Sequence, residues 1–136
     1  MLIPKQNELF NSMNIIIKKD RDKEAVDRTL IKQMKKILED LDRIVESNNT
    51  NLDQWYSTLV IATKDYIAEK SKIEMSTYST VGYIRSSLNY LKEEKERFID
   101  YSMTDFIKVI NEINCVHYAK KLCEVSIYIY NNYIDG

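Results

Sequence analysis

The sequence is poor in residues that make tight turns. Among 136 residues there are two glycines, Gly82 and Gly136, and one proline, Pro4. Sheet proteins reverse direction through turns rich in Gly and Pro, so this scarcity excludes an architecture of many short strands. It also excludes phosphate-binding loops, which need several glycines close together so that backbone N–H groups can approach the phosphates.

Histidine and cysteine are equally scarce. Cys115, His117 and Cys123 are the whole supply of N and S ligands, whereas a structural zinc site takes about four. On one helix Cys115 and His117 would point about 200° apart, at ~100° per residue. A di-iron bundle needs two Glu-x-x-His pairs, and the residue three before His117 is Asn114. No metal and no other cofactor is expected. Along a helix Cys115 and Cys123 stand about 12 Å apart, too far for a disulfide. They are expected as buried or partly buried free thiols in a reducing, cytoplasmic compartment.

There is no excess of charge of one sign. The net charge of −1 gives no overall field to hold the chain on nucleic acid or an anionic membrane. Uncharged runs such as 125–134 reach about half of the ~20 residues that span a bilayer. The stretch 9–17 contains Asn11, Ser12 and Asn14, with lysines after it, and does not resemble a secretory leader. No membrane is expected as a partner.

What is present is helical spacing. Apolar residues make up 44% and charged residues 30% of the chain, proportions of a globular domain, and the length suits a single domain over residues 1–136. Leu30, Met34, Ile37, Leu41 and Ile44 recur every third or fourth position, with Ile31, Leu38 and Val45 widening the stripe. This predicts one long helix from Asp20 to about Ser47, followed by a polar loop at 46–51 that ends in a cap at Asn51 or Asp53. Leu52, Trp55, Leu59, Ala62 and Tyr66 predict the next helix, and Val81, Ile84, Leu88, Leu91 and Phe98 a third. Ser102-Met103-Thr104-Asp105 has the form of a capping box opening a last long helix, expected to be the most central element. The segment 126–130 is rich in β-branched and aromatic residues but has no partner strand, so helix is expected there too. A short helix over 9–17 completes the set. The fold class is therefore all-α, a four- or five-helix bundle with at least two long helices.

No catalytic constellation and no small-molecule substrate is expected. His117, a lone histidine on a mostly apolar helix, is expected as a hydrogen-bonded core or boundary residue and not as the base for a cysteine or serine. The carboxylates of 93–96 alternate with basic residues, as on a solvated helix face.

Three function classes remain. The first is protein binding, possibly to a second copy as a homodimer. Ten tyrosines is a high count, and Tyr128, Tyr130 and Tyr133 cluster near the end, where large amphipathic rings suit an interface. The stripe of the second predicted helix is also wider than one neighbour requires. The second class is DNA binding, because residues 67–85 resemble a helix-turn-helix in layout. Ala68 falls at the small packing position, Ile73 at the turn plug, and Ser76, Ser79 and Arg85 on the reading helix. Lys72 at the turn, Tyr78 and Gly82 depart from that pattern. The third is a small subunit of a ribonucleoprotein, through Lys18, Lys19, Arg21, Arg28, Lys32 and Lys35. A regulator, inhibitor or assembly subunit is the expected role. The frequent use of Ile, Lys, Asn and Tyr suggests an AT-rich genome, such as that of a low-GC bacterium, phage or virus.

Overall fold

The structure, a computed structural model, describes residues 3–45, 50–77 and 79–135. Among these residues there are five helices: α1 Ile3–Arg21, α2 Arg28–Val45, α3 Asn51–Thr77, α4 Thr80–Asp100 and α5 Thr104–Asp135. Among the described residues there is no strand, and α5 continues through 126–130 to Asp135. The helix bundle expected from apolar periodicity is what the chain forms.

The core is built mainly from α1, α3, α4 and α5. Phe10, Met13 and Ile17 of α1 meet Trp55 and Leu59 of α3, Phe98 and Tyr101 at the end of α4, and Phe106 and Ile110 of α5. Phe98 is the hinge of an aromatic cluster, stacked on Phe106 at 5.2 Å and edge-on to Tyr101 at 5.1 Å. The most central helix is α3 and not α5: it packs against each of the other four.

Two helices end in ways that the spacing did not reveal. The predicted rod from Asp20 to Ser47 is broken, since α1 runs on through Asp20 and Arg21 and α2 starts at Arg28. At the break Lys23 adopts a left-handed φ of 65°, with Lys23 N–H donating to Asp20 O and Glu24 N–H to Lys19 O. These are the paired bonds of a Schellman ending. Asp27 then caps α2, accepting from Thr29 N–H at 3.0 Å. The same ending closes α4, where Ser102 has φ 59° and Met103 N–H donates to Phe98 O. Ser102 is thus the residue that terminates α4 and not the cap of a box opening α5.

Neither left-handed residue is glycine, the residue for which this region carries no Cβ penalty. Lys23→Gly and Ser102→Gly are each expected to stabilise the fold by about 0.5–1 kcal/mol. Urea denaturation should show both midpoints rising with unchanged slopes.

The polar connection after α2 lies largely outside the described residues, at 46–49. Its described end shows that Thr50, rather than Asn51 or Asp53, caps α3, its hydroxyl accepting from Asp53 N–H at 3.0 Å. Asp42 reaches back from α2 to accept from Asn51 N–H and Leu52 N–H at 2.7 and 3.0 Å. A carboxylate at a helix N-terminus satisfies orphan donors and meets the positive end of the helix dipole.

Candidate protein-interaction surface

The placement of α2 is set by a buried charge network at its N-terminal end. Arg21, in the last turn of α1, forms a two-pronged contact with Glu94 of α4, Nε to Oε1 at 2.9 Å and Nη2 to Oε2 at 3.1 Å. The same Nη2 donates to Thr63 of α3 at 2.9 Å. Arg97 donates to Glu94 Oε1 at 2.8 Å and to the backbone oxygen of Asp20 at 3.3 Å. The Asp20 carboxylate accepts from Arg28 Nε at 2.9 Å and from the Tyr101 hydroxyl. Arg28 also reaches Asp100 at 2.7 Å. Three guanidinium groups and three carboxylates therefore balance where α1, α2 and α4 meet.

Glu94 is 1% and Arg97 3% exposed, so the alternating charges of 93–96 are not a solvated face throughout. Helical geometry separates them: Glu94 and Arg97 face inward with Tyr83, Tyr90 and Phe98, while Lys95 and Glu96 face solvent. Burial favours the neutral form of the Asp20 carboxyl, but the hydrogen bonds from Arg28 and Tyr101 and the charge of Arg97 outweigh it, and its pKa is lowered. Its contribution to stability is present above the ordinary carboxylate range and is lost as pH falls through the lowered value. The Tyr101 hydroxyl is pushed the other way, by burial first and then by its bond to Asp20.

Held at one end by Arg28 and at the other by Asp42, α2 packs on α3 and α4 with Ile31 and Leu38 fully buried. Met34 is half-buried against the core. The rest of the apolar stripe faces solvent. Leu30, Ile37, Leu41 and Ile44 are 42, 56, 43 and 78% exposed, and Val45 beside them 62%. At ~100° per residue the first four fall within about 60° of one another, a single ridge along the helix. Scattered exposed apolar residues are ordinary, whereas a contiguous row on one face marks a contact surface.

The family profile described as the Cullin alpha solenoid domain matches residues 1–132. The chain belongs to the cullin α-solenoid domain family. It is similar to Cullin-3 of Dictyostelium discoideum, with 30% identity over 96 residues, which is 71% of this chain and 12% of that protein. The chain therefore spans a small part of the length of this curated relative. No solved structure matches it. Such a match fits a helical module of the protein-interaction kind.

The other expected site residues are distributed around this cullin domain. Tyr130 projects from α5 and is exposed, with Ile127 exposed one turn before it. The side chains of Tyr128 and Tyr133 lie outside the described residues. In the stretch that resembled a helix-turn-helix, α3 runs without interruption through Lys72 and Ile73 to Thr77, so the expected turn is absent there. Ala68 and Ile73 are exposed, while Ile67, Ser71 and Glu74 turn inward. Ser71 shares a 2.7 Å hydrogen bond with Tyr83, and Ser86 donates to Glu74 at 2.7 Å. These bonds make residues 67–86 a packed α3–α4 pair. Ser79 caps α4, accepting from Gly82 N–H at 3.2 Å, and Arg85 is exposed. The side chain of Ser76 lies outside the described residues.

Of the basic face expected on Lys18, Lys19, Arg21, Arg28, Lys32 and Lys35, Arg21 and the partly exposed Arg28 belong to the charge network. Lys18 pairs with Asp22 at 2.9 Å, Lys35 pairs with Glu39 at 3.1 Å and with the backbone oxygen of Ser102, and Lys19 and Lys32 are exposed. Cys115 and Cys123 are free but exposed on α5, contrary to the expectation of burial or partial burial; Cys115 lies on the outer side of the helix, next to the inward-facing Asn114. Among the described residues no group of His, Cys, Asp and Glu is placed to hold a metal ion. No described helix is long and apolar enough to cross a membrane.

Proposed function

We propose that this cullin domain is a non-catalytic binding module, inside the cell, whose work is to hold another protein, and that the outward ridge of α2 is its main contact. The observation that carries this reading is the row Leu30, Ile37, Leu41, Ile44 and Val45, held on a helix fixed at both ends. Membership of the cullin α-solenoid family supports it, as does a relative called Cullin-3. A regulator, inhibitor or assembly subunit would use such a surface in the same way. The end of α5, with Tyr128, Tyr130 and Tyr133, is proposed as a second contact.

The test is site-specific photocrosslinking in cells. A photoreactive residue at Ile37 should give a discrete covalent adduct with a polypeptide, and one at Lys95, exposed on α4, should not. Placed at Tyr130, the same probe reports on the end of α5 separately. A correctly folded chain that gives no adduct from Ile37 would defeat the α2 surface.

A further inference from the structure

We propose that the occupant of the α2 ridge is a second copy of this chain, with the two helices antiparallel about a two-fold axis at Ile37. This rests on the assignment of the ridge as a contact surface and says what covers it.

A two-fold interface must map onto itself. The ridge does so. Leu30 and Ile44 each lie seven residues from Ile37, so an antiparallel pairing centred there sets Leu30 against Ile44 of the second copy twice over. Ile37 faces its own mate. Leu41 then falls beside the half-buried Met34 of the second copy, and the seam 30-34-37-41-44 has the alternating steps of four and three that pack knobs into holes.

The charges along the ridge favour the same arrangement. Lys36 and Asp40 lie on one flank of it, about 40° apart around the helix, with Lys36 exposed and the Asp40 side chain 49% exposed. In the antiparallel pairing Lys36 of each copy comes opposite Asp40 of the other. A parallel two-fold would set these residues of the two helices on opposite sides of the seam, and the pairing would be lost. Asp40 contacts Arg43 of its own helix at 3.3 Å, with the Arg43 side chain 74% exposed. Exposed pairs of this kind are weak, so Asp40 can exchange that partner for Lys36 of the second copy. The ridge from Leu30 to Ile44 is about 21 Å long at ~1.5 Å per residue, a small interface that implies reversible, weak association.

The experiment is sedimentation equilibrium of the full chain from low to high micromolar concentration, with far-UV circular dichroism confirming the helix content of every variant. Wild type should pass from one copy to two, and Ile37→Lys should stay single. Lys36→Asp places two like-charge contacts in the dimer and should weaken it about tenfold. Adding Asp40→Lys reverses both partners and should restore the association to near the wild-type value. A wild type that remains single at every concentration would overturn the second copy as occupant. In that case an Ile37 photoadduct of different composition would still uphold the contact surface, and its absence would remove both. A dimer indifferent to Ile37→Lys or to the charge reversals would overturn this geometry.

Discussion

Glu94→Ala should destabilise the fold by about 3–5 kcal/mol, the cost of leaving buried charges without their partner. Glu94 accepts from both Arg21 and Arg97 at 2.8–3.1 Å, and neither arginine has solvent to turn to: their side chains are 2 and 4% exposed. Burial works against the Arg21 charge, and the charge and hydrogen bonds of Glu94, with Tyr90 and Tyr101 beside it, together outweigh that burial. Removing the carboxylate leaves the burial and deletes the offset. A domain of this size is typically stable by about 5–15 kcal/mol, so the loss is a large part of the whole. Trp55 is the single tryptophan and fully buried, so its emission reports the transition directly. The urea midpoint of Glu94→Ala should fall far below that of Glu96→Ala, made on the exposed side of the same helix. Equal midpoints would mean that the network contributes little.

Trp55→Ala should cost about 3–5 kcal/mol by a different route, the loss of apolar contact together with the cavity left behind. Trp55 sits where α1 crosses α3, and its indole N–H donates to Asn14 Oδ1 at 2.9 Å. Asn14 in turn donates to Thr58 at 3.1 Å. Truncation therefore empties a large volume and strands a half-buried amide. Trp55→Phe keeps most of the volume and loses the hydrogen bond, so its cost should be less than half as large. Circular dichroism during urea unfolding checks both. If the two variants proved equally damaging, the hydrogen bond and not the volume would be the dominant contribution.

The five rods of this domain were legible in the spacing of its apolar residues, because each helix has a buried side long enough to show a period of three to four. Where the rods stop was less legible. Lys23 and Ser102 end α1 and α4 in left-handed conformations that no glycine announces, so the spacing assigned Asp20 to the next rod when it lies in α1. The inward partners were also hidden. On α2 the residues taken as flanking the stripe, Ile31 and Leu38, are the buried ones, and the main stripe is the exposed ridge. Periodicity gives the existence of an apolar side but not which part of a wide one meets the core. That choice is made by Arg28 and Asp42, which bind α1, α4 and α3 through charges that appear in the sequence as ordinary polar residues. The buried pair Glu94 and Arg97 was missed for the same reason, since charged residues four or fewer apart resemble a surface until their partner, here Arg21, is brought in from another helix.

The two glycine-free reversals at Lys23 and Ser102 have a bearing on how this chain acquires its shape. Each bends the backbone against its local inclination and is flanked by groups from distant parts of the chain, Glu94 and Arg97 on Arg21 and Asp20 near the first and Lys35 on the Ser102 carbonyl at the second. A peptide comprising residues 3–45 would keep the Asp27 cap and the Arg28–Asp20 contact but would lack Glu94 and Arg97, which hold Arg21 and the Asp20 carbonyl from α4. The corner between α1 and α2 is thus written partly in its own residues and partly in α4, so the outward aim of the ridge depends on a helix about seventy residues further along the chain.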